Sequence, residues 1–545
     1  MARGSRRVAW HVGIACCDDG GRGEPWNKET WGTPSHRAAI SLRLRAGTLK
    51  VCRVAVLRGR VWAAAVGRGN YSLARMSRSR SPAAADSDRR RQQILAGPLR
   101  RTVFWLALPV MGEQTLNLAV AFFDTWLAGH LPRVGDGTST AVLATGAVGF
   151  AAYVNYLMMM LALFVGAGTT ALVSRCWGSG QRRAASIVTN RALVLALLFG
   201  LTFCASVLAG ADGIVRLLGT DSSLAGATAE YLRKEAAAYP PLVLSLIAAA
   251  ALRGSGDLTS PLVVLIATNA TNMLASVALA NGWGPLPQLG LDGIVAGTVL
   301  ARYVQCGLLL WWLVQPRSNL QLLARHWRIG GTTTRRILRI GLPAAADGLV
   351  FWIAHFLFLR IINSVGPVEF AAHIVGIRIE SLTYLLAGAW GTSASTMIGQ
   401  NLGALQPERA RRAGHEAVRQ MTLVALATSV AFVFAPGAIA EGMTRDPAIA
   451  ARVTEPLRLI GYFQVFLGAS IVYVAALRGA GQTRLPLIVT LASSYLLRIP
   501  LAYVLALSVG WGLWGAWLAM AADMVVRGLA SLAIYVVVRW ERTVV

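Results

Sequence analysis

The sequence predicts an all-α polytopic membrane protein, with twelve transmembrane helices in two six-helix lobes related by an internal pseudo-two-fold axis. Three observations carry this. The tract Leu252-Arg253-Gly254-Ser255-Gly256-Asp257, closed by Pro261, returns as Leu477-Arg478-Gly479-Ala480-Gly481-Gln482, closed by Pro486, a shift of 478 − 253 = 225 residues. Val173-Ser174 through Gly178 and Gln181 returns as Ile398-Gly399 through Gly403 and Gln406, again with 403 − 178 = 225. The segments between these tracts are long and apolar: 55% of the chain is hydrophobic and only 14% charged, against about 25% charged in a soluble domain. Two matches at one offset mean two halves of like structure. An even number of spans per half makes the repeats parallel, related by an axis along the membrane normal, and lets one half rock against the other around a central site.

Residues 1–100 do not resemble the rest. They mix Arg, Gly, Trp and Pro without a sustained period, and Arg53, Arg58 and Arg60 interrupt the run from Val51 to Gly67, so it does not span cheaply. No small-residue cleavage site follows a clean apolar core, as a signal peptide requires. The tract reads as a disordered basic extension, with translation starting at or near Met76 as the alternative. Beyond it lie a first lobe at 101–315, a cytoplasmic linker at 316–336 and a second lobe at 337–540.

Each span needs about 20 apolar residues to cross a ~30 Å hydrocarbon layer. Those of the first half fall near 102–130, 140–173, 184–209, 225–252, 258–281 and 289–315. Those of the second fall near 337–364, 368–398, 412–436, 450–477, 484–509 and 511–538. Pro109 and Pro343 sit early in the first span of each half, and Gly290-Leu291-Asp292-Gly293 and Gly512-Leu513-Trp514-Gly515 open the last. Trp311-Trp312, Trp511 and Trp514 read as interface belts, and Ala248 to Ala251 as a close-packing surface.

The formal charge of +27 is nearly all arginine. From residue 100 onward most of these arginines flank spans: Arg100-Arg101, Arg175, Arg182-Arg183, Arg253, the linker, and Arg409 with Arg411-Arg412. With twelve crossings they fall on one side, which the positive-inside rule assigns to the cytoplasm together with both termini. The loops at 135–137 and 219–221 are poorer in arginine. This distribution argues for a lipid bilayer as partner and against nucleic acid. The six cysteines are scattered, without CxxC spacing, and the histidines show no HExxH.

Ionisable groups inside spans are costly and are functional candidates by default. Span one holds Glu113 and Asp124, eleven residues or about three turns apart, with Asn117 at i+4 from Glu113; together they make a polar stripe on an apolar helix. Asp347 stands four residues after Pro343, as Glu113 stands four after Pro109, so the repeat places a carboxyl at one depth in both halves. His355 is within about 80° of the face of Asp347. In span eight, Arg378 and Glu380 point about 160° apart, and the face of Glu380 continues with Tyr384. Arg498 in span eleven is a counter-charge for Asp347 or Glu380. Glu113, Asn117, Asp347, His355, Glu380, Tyr384 and Arg498 are therefore expected to line a central cavity.

The paired Leu-Arg-Gly-x-Gly tracts, Gly178-Ser179-Gly180 with Gly403-Ala404-Leu405, Arg498-Ile499-Pro500-Leu501-Ala502-Tyr503, and Pro109 followed by Phe123-Asp124-Thr125-Trp126-Leu127-Ala128-Gly129 resemble the multidrug and toxic-compound extrusion (MATE) family, in its prokaryotic DNA-damage-inducible F-like branch. The resemblance covers about 100 to 540. It implies a two-lobed antiporter that exchanges protons or sodium for small organic, often cationic, compounds. It also implies an ion-coupling set of Asp124, Asn272 and Thr298, together with the position four beyond Asn272, where the branch carries Asp and this chain carries Ser276. One carboxylate fewer favours a proton over sodium, a hard cation that prefers carboxylate oxygens. Glu113 does not make up the deficit, because eleven residues place it about 16 Å along the helix from Asp124.

A monomer in the cell membrane, with no cofactor, is expected. A lipid-linked oligosaccharide flippase of the same superfamily is the alternative; it would favour a wide arginine-lined cavity, whereas interior arginines look few here. An intramembrane enzyme is disfavoured by the absence of Gly-x-Ser-x-Gly, HExxH or a paired catalytic Asp motif.

Overall fold

The computed structural model describes residues 51–57, 60–66, 82–129, 140–217, 222–315, 318–322, 327 and 330–543. It comprises two compact units, Met1–Ser79 and Arg80–Val545. The start at Met76 and the loops at 135–137 and 219–221 lie outside the described residues, as does much of the linker.

In the first unit, β1 (Val51–Leu57) and β2 (Arg60–Val66) pair antiparallel, with Val51 opposite Val66 and Leu57 opposite Arg60. This departs from the all-α, disordered expectation for the tract. The arginines that bar Val51 to Gly67 from a membrane do not bar a two-stranded ribbon, and its β-branched valines suit one. In the second unit the basic tract continues as a helix, α1 (Pro82–Ala96).

The spans of the first lobe are α2 (Leu99–Gly129), α3 (Thr140–Gly178), α4 (Arg182–Leu217), the broken span α5 (Ser222–Glu235) and α6 (Tyr239–Gly254), α7 (Thr259–Asn281) and α8 (Leu291–Val314). Those of the second are α9 (Gly331–Val365), α10 (Pro367–Gly403), α11 (Pro407–Phe434), the pair α13 (Pro447–Gly461) and α14 (Gln464–Gly479), span eleven, and α17 (Gly512–Val537). A short α12 (Pro436–Met443) precedes α13. Among the described residues eleven helices are long and apolar enough to cross a membrane, and the α13–α14 pair, bent by 61°, makes the twelfth. Span eleven is α15 (Arg484–Ala492) and α16 (Ile499–Tyr503), each followed by a π-helical turn, at Ser493–Arg498 and Val504–Ser508. Such turns are rare and gather at functional sites.

The 225-residue repeat is visible in the backbone. Gly256 and Gly481 hold φ of 86° and 83° at equivalent turns. Gly180 (φ 81°) is matched by Leu405 (φ 58°), the sole non-glycine residue with positive φ among those described. The repeat imposes its left-handed helix cap even where glycine has been lost.

The lobes meet by a reciprocal crossing. Ile337 and Ile340 of α9 join the core of the first lobe. Val103, Ala107 and Val110 of α2 join that of the second, against Trp390, Ala394 and Met397. Each lobe thus presses its first span onto the second span of the other. Association between spans relies on close van der Waals approach and hydrogen bonds rather than on water exclusion, and glycines provide that approach. A Cβ on Gly178 would lie 2.6 Å from the Cα of Gln400, and one on Gly403 would lie 3.0 Å from the Cα of Arg175. These contacts map onto each other, because 178 + 225 = 403 and 175 + 225 = 400. They sit at the arginine-rich end, where α1 also docks: Arg91 donates to Trp177 O at 3.1 Å and Gly178 O at 2.7 Å, and Arg409 donates to Ile94 O. Among the described residues, the hydrogen bonds that cross between lobes gather at this end. The described part of the linker runs beneath it, with Asn319 donating to Ser255 and Leu320 fully buried. The linker is shorter than 316–336, since α9 already begins at Gly331.

Candidate functional site

Glu113 and Asp347 stand where the two prolines and the interlobe crossing coincide. Neither lines an open cavity. Glu113, 8% exposed, accepts from Arg253 Nη1 at 2.7 Å; Asp347, 4% exposed, is paired with Arg478. The arginine of each Leu-Arg-Gly tract is thus the counter-charge of the carboxyl in its own lobe. Arg498 is not the partner of Asp347; α14 delivers Arg478 there instead. The span-one stripe divides by depth. At Glu113 the helix is covered by α10, and the side chain of Gln114 still lies 3.5 Å from a Cβ position at Gly388. One turn on, Asn117 is exposed. Its face differs by only about 40°, so the change reflects the lobes parting beyond Glu113.

Further from the arginine-rich end, the first lobe holds Asp124. Its neighbours Phe123 and Leu127 pack on Val277 and Ala280 of α7 and Ile294 of α8. Asp124 Oδ1 is shielded from solvent and has no hydrogen-bond partner. Its counter-charge is Arg302 of α8, which acts on Glu235 as well. Glu235, 4% exposed, accepts from Asn155 Nδ2 at 2.8 Å, while its Oε2 has no partner. Tyr231 and Tyr239 close the cluster. Asn272 Nδ2 donates to Thr298 Oγ1 at 3.2 Å, and Thr298 returns its own hydrogen to Ile294 O at 3.1 Å. Asn272 Oδ1 is buried and unpartnered. Ser276, by contrast, is fully buried against the backbone of Gly297, and its hydroxyl faces Ile294 O at 3.5 Å. It lies at the α7–α8 crossing.

In the second lobe Glu380 is fully buried, with both carboxyl oxygens unpartnered, while Arg378 on the other face is exposed, as their spacing predicts. Tyr384, one turn on, is half-buried. Arg498 ends the first π-helical turn, lies over the ring of Phe358 at 4.2 Å, and reaches Asp523 of α17 at 3.9 Å. Asp523 also accepts from Arg527 at 2.7 Å. Arg498 therefore pairs with Asp523, and its influence on Glu380 is Coulombic only. His355 is half-buried, with its ring 6.2 Å from that of His373, which accepts from Trp517 Nε1 at 3.1 Å.

Sequence reasoning missed Glu235, Arg302, His373, Asp523 and Arg527, and took the two tract arginines for repeat markers. The available signal was an ionisable residue inside a predicted span. Interior arginines are not few: Arg253 pairs with Glu113, Arg478 with Asp347, and Arg498 and Arg527 with Asp523, while Arg302 acts on Asp124 and Glu235 only through its field. Among the described residues they do not form the uncompensated lining that a pyrophosphate-binding cavity needs.

A twelve-span helical protein in two matched lobes, with buried charges near the plane between them, has the build of a membrane transporter. The MatE family model matches residues 109–277 and 343–504. A probable multidrug resistance protein NorM of Thermotoga maritima is 27% identical over 448 residues, covering 82% of this chain and 94% of that protein. A FAD transporter of Shewanella oneidensis is 24% identical, covering 76% and 89%. Among solved structures, a MATE transporter in its bent conformation superposes with a TM-score of 0.75 at 21% identity, covering 82% of this chain and 96% of that one. The chain belongs to the MatE family. It is a multi-pass efflux transporter of small molecules, not an enzyme, and these relatives do not favour a flippase.

Proposed function

We propose that this protein is a proton-coupled antiporter that expels organic, often cationic, compounds by alternating access. Asp124 carries the proton, and Asn272 and Thr298 complete its surroundings. The ion choice is supported by the guanidinium of Arg302, which acts on Asp124 and Glu235 through its field while its Nη1 donates to Gln305 Oε1 at 3.4 Å. A bound sodium would sit against that charge and would need several hard oxygens, and the Ser276 hydroxyl is committed to the α7–α8 contact. A proton needs one carboxylate oxygen, and Asp124 Oδ1 is shielded and unpartnered. The side chains that suit an organic cation are Tyr384 and His355, both half-buried, with Asn117 exposed at the mouth and the buried carboxylate of Glu380 behind Tyr384 on the same helix. The arginine-rich end and both termini face the cytoplasm, the membrane is the inner one, and the working unit is a monomer without nucleic-acid partners or cofactor. Dye efflux in everted vesicles, with each gradient collapsed in turn, tests this reading. Efflux should follow the pH gradient and ignore sodium. A sodium-dependent rate at fixed pH and voltage, lost in Asn272→Ala, would overturn it.

A further inference from the structure

The two buried ion pairs near the prolines share more than their depth. In each, one carboxylate oxygen takes the arginine, while the other, Glu113 Oε1 or Asp347 Oδ1, is shielded and has no partner. The tracts that supply the arginines also hold the opposite lobe by their main chain. Thr396 Oγ1 donates to Arg253 O at 3.0 Å, and Gln400 Nε2 donates to Gly254 O at 3.0 Å. On the other side, Arg175 Nη2 donates to Ala480 O at 3.0 Å. Arg175 and Gln400 are repeat partners, since 400 − 175 = 225. Each tract therefore faces two ways: its side chain binds the first span of its own lobe, and its carbonyls bind the second span of the other.

We propose that Arg253 with Glu113, and Arg478 with Asp347, are two equivalent positioning pairs for transport. Each aligns the carbonyls that hold the opposite lobe, so the pairs set how firmly the arginine-rich end stays shut during the cycle. The inference rests on the alternating-access reading above. A buried ion pair is a poor source of net stability, because desolvation offsets most of its attraction. Here both lobes hold the same pair on different acids, Glu in one and Asp in the other, at the point where the lobes are latched. That placement fits a role in alignment better than one in stability.

The test is the distance distribution between spin labels at Gln181 and Gln406. These positions are exposed, repeat-related and on opposite lobes of the arginine-rich end. The full chain, with native cysteines replaced, is measured in lipid nanodiscs. Wild type should be mainly short-distance. Glu113→Gln combined with Arg253→Gln leaves no unpaired buried charge and so keeps the fold. It should raise the long-to-short ratio about tenfold, a shift of about 1.4 kcal/mol, and so should Asp347→Asn combined with Arg478→Gln. Glu113→Asp and Asp347→Glu, which exchange the acids the lobes already use, should leave the ratio within about twofold. A long-distance population that exists in wild type but does not respond to either double neutralisation overturns the inference and leaves alternating access standing. The absence of any long-distance population at every pH removes the alternating-access reading itself.

Discussion

Adding one methyl group where the lobes touch should open the arginine-rich end. At Gly178 the new Cβ would stand 2.6 Å from Gln400 Cα and closer still to Gln400 O; at Gly403 it would stand 3.0 Å from Arg175 Cα. Carbon pairs rest at about 3.5–4.0 Å, so the intrusions are roughly 0.9 Å and 0.5 Å. In both cases the obstacle is backbone in the last turn of a long helix, which cannot rotate away as a side chain can. Overpacking of this size costs about 1–3 kcal/mol. The clash exists only while the lobes are closed here, so the whole cost falls on that state, a shift of about 5- to 150-fold in the open-to-closed ratio. Double electron–electron resonance between labels at Gln181 and Gln406 reads the ratio directly. The nearest atom is a backbone oxygen at both sites, Gln400 O for Gly178 and Arg175 O for Gly403, at nearly the same distance, so Gly178→Ala and Gly403→Ala should shift it to a similar extent, and each should slow efflux by trapping one conformation. An unchanged ratio in either variant would refute the reasoning.

Asp124→Asn should reduce dye efflux to background while purification yield and size-exclusion profile stay those of wild type, because the amide keeps the shape and cannot exchange a proton. Ser276→Asp should confer no sodium dependence; burying a charge against Gly297 should instead lower the melting temperature of the detergent-solubilised protein, at a cost of about 2 kcal/mol or more. Asp523→Asn leaves Arg498 and Arg527 without their carboxylate and should destabilise by about 3–5 kcal/mol, with much of the loss recovered in Asp523→Leu combined with Arg498→Met and Arg527→Met. Leu405→Asn should raise the melting temperature slightly, since Leu pays about 1–2 kcal/mol in the left-handed region and Asn, whose short polar side chain bonds locally, pays less.

The fold was legible because a bilayer leaves few options: apolar length counts the spans, and a fixed offset in Gly, Arg and Pro fixes the symmetry. That Asp124, Asn272 and Thr298 belong together came instead from the family resemblance; the structure bonds Asn272 to Thr298 across α7 and α8. Which charges pair was not legible. Arg253 and Arg478 look like loop arginines in sequence, because each ends a helix, but the Gly-x-Gly turn folds the tract back into the lobe, where the arginine meets a carboxyl on span one. Arg498 has two acids on other spans within reach of a linear argument, Asp347 and Glu380, and the structure chooses a third, Asp523, on the span packed beside its π-helical turn. Ser276 illustrates a different limit. Sequence registers the missing carboxylate but not the setting, a helix crossing where Gly297 lies directly against the backbone of Ser276.

The repeat also shows where the two lobes part company. Near the prolines they are equivalent: one carboxylate and one arginine each, joined in the same way. Deeper, they differ. The first lobe sets two carboxylates, Asp124 and Glu235, around a single arginine, Arg302. The second sets two, Glu380 and Asp523, against Arg498 and Arg527. Only the first cluster has a carboxylate in excess of its fixed cations, so it can take up a proton and become neutral overall. In the second, protonating Glu380 would leave the cluster net positive, beside aromatic rings at Phe351 and Phe358 already occupied by guanidinium groups. Two halves of common design thus reach different electrostatic ends.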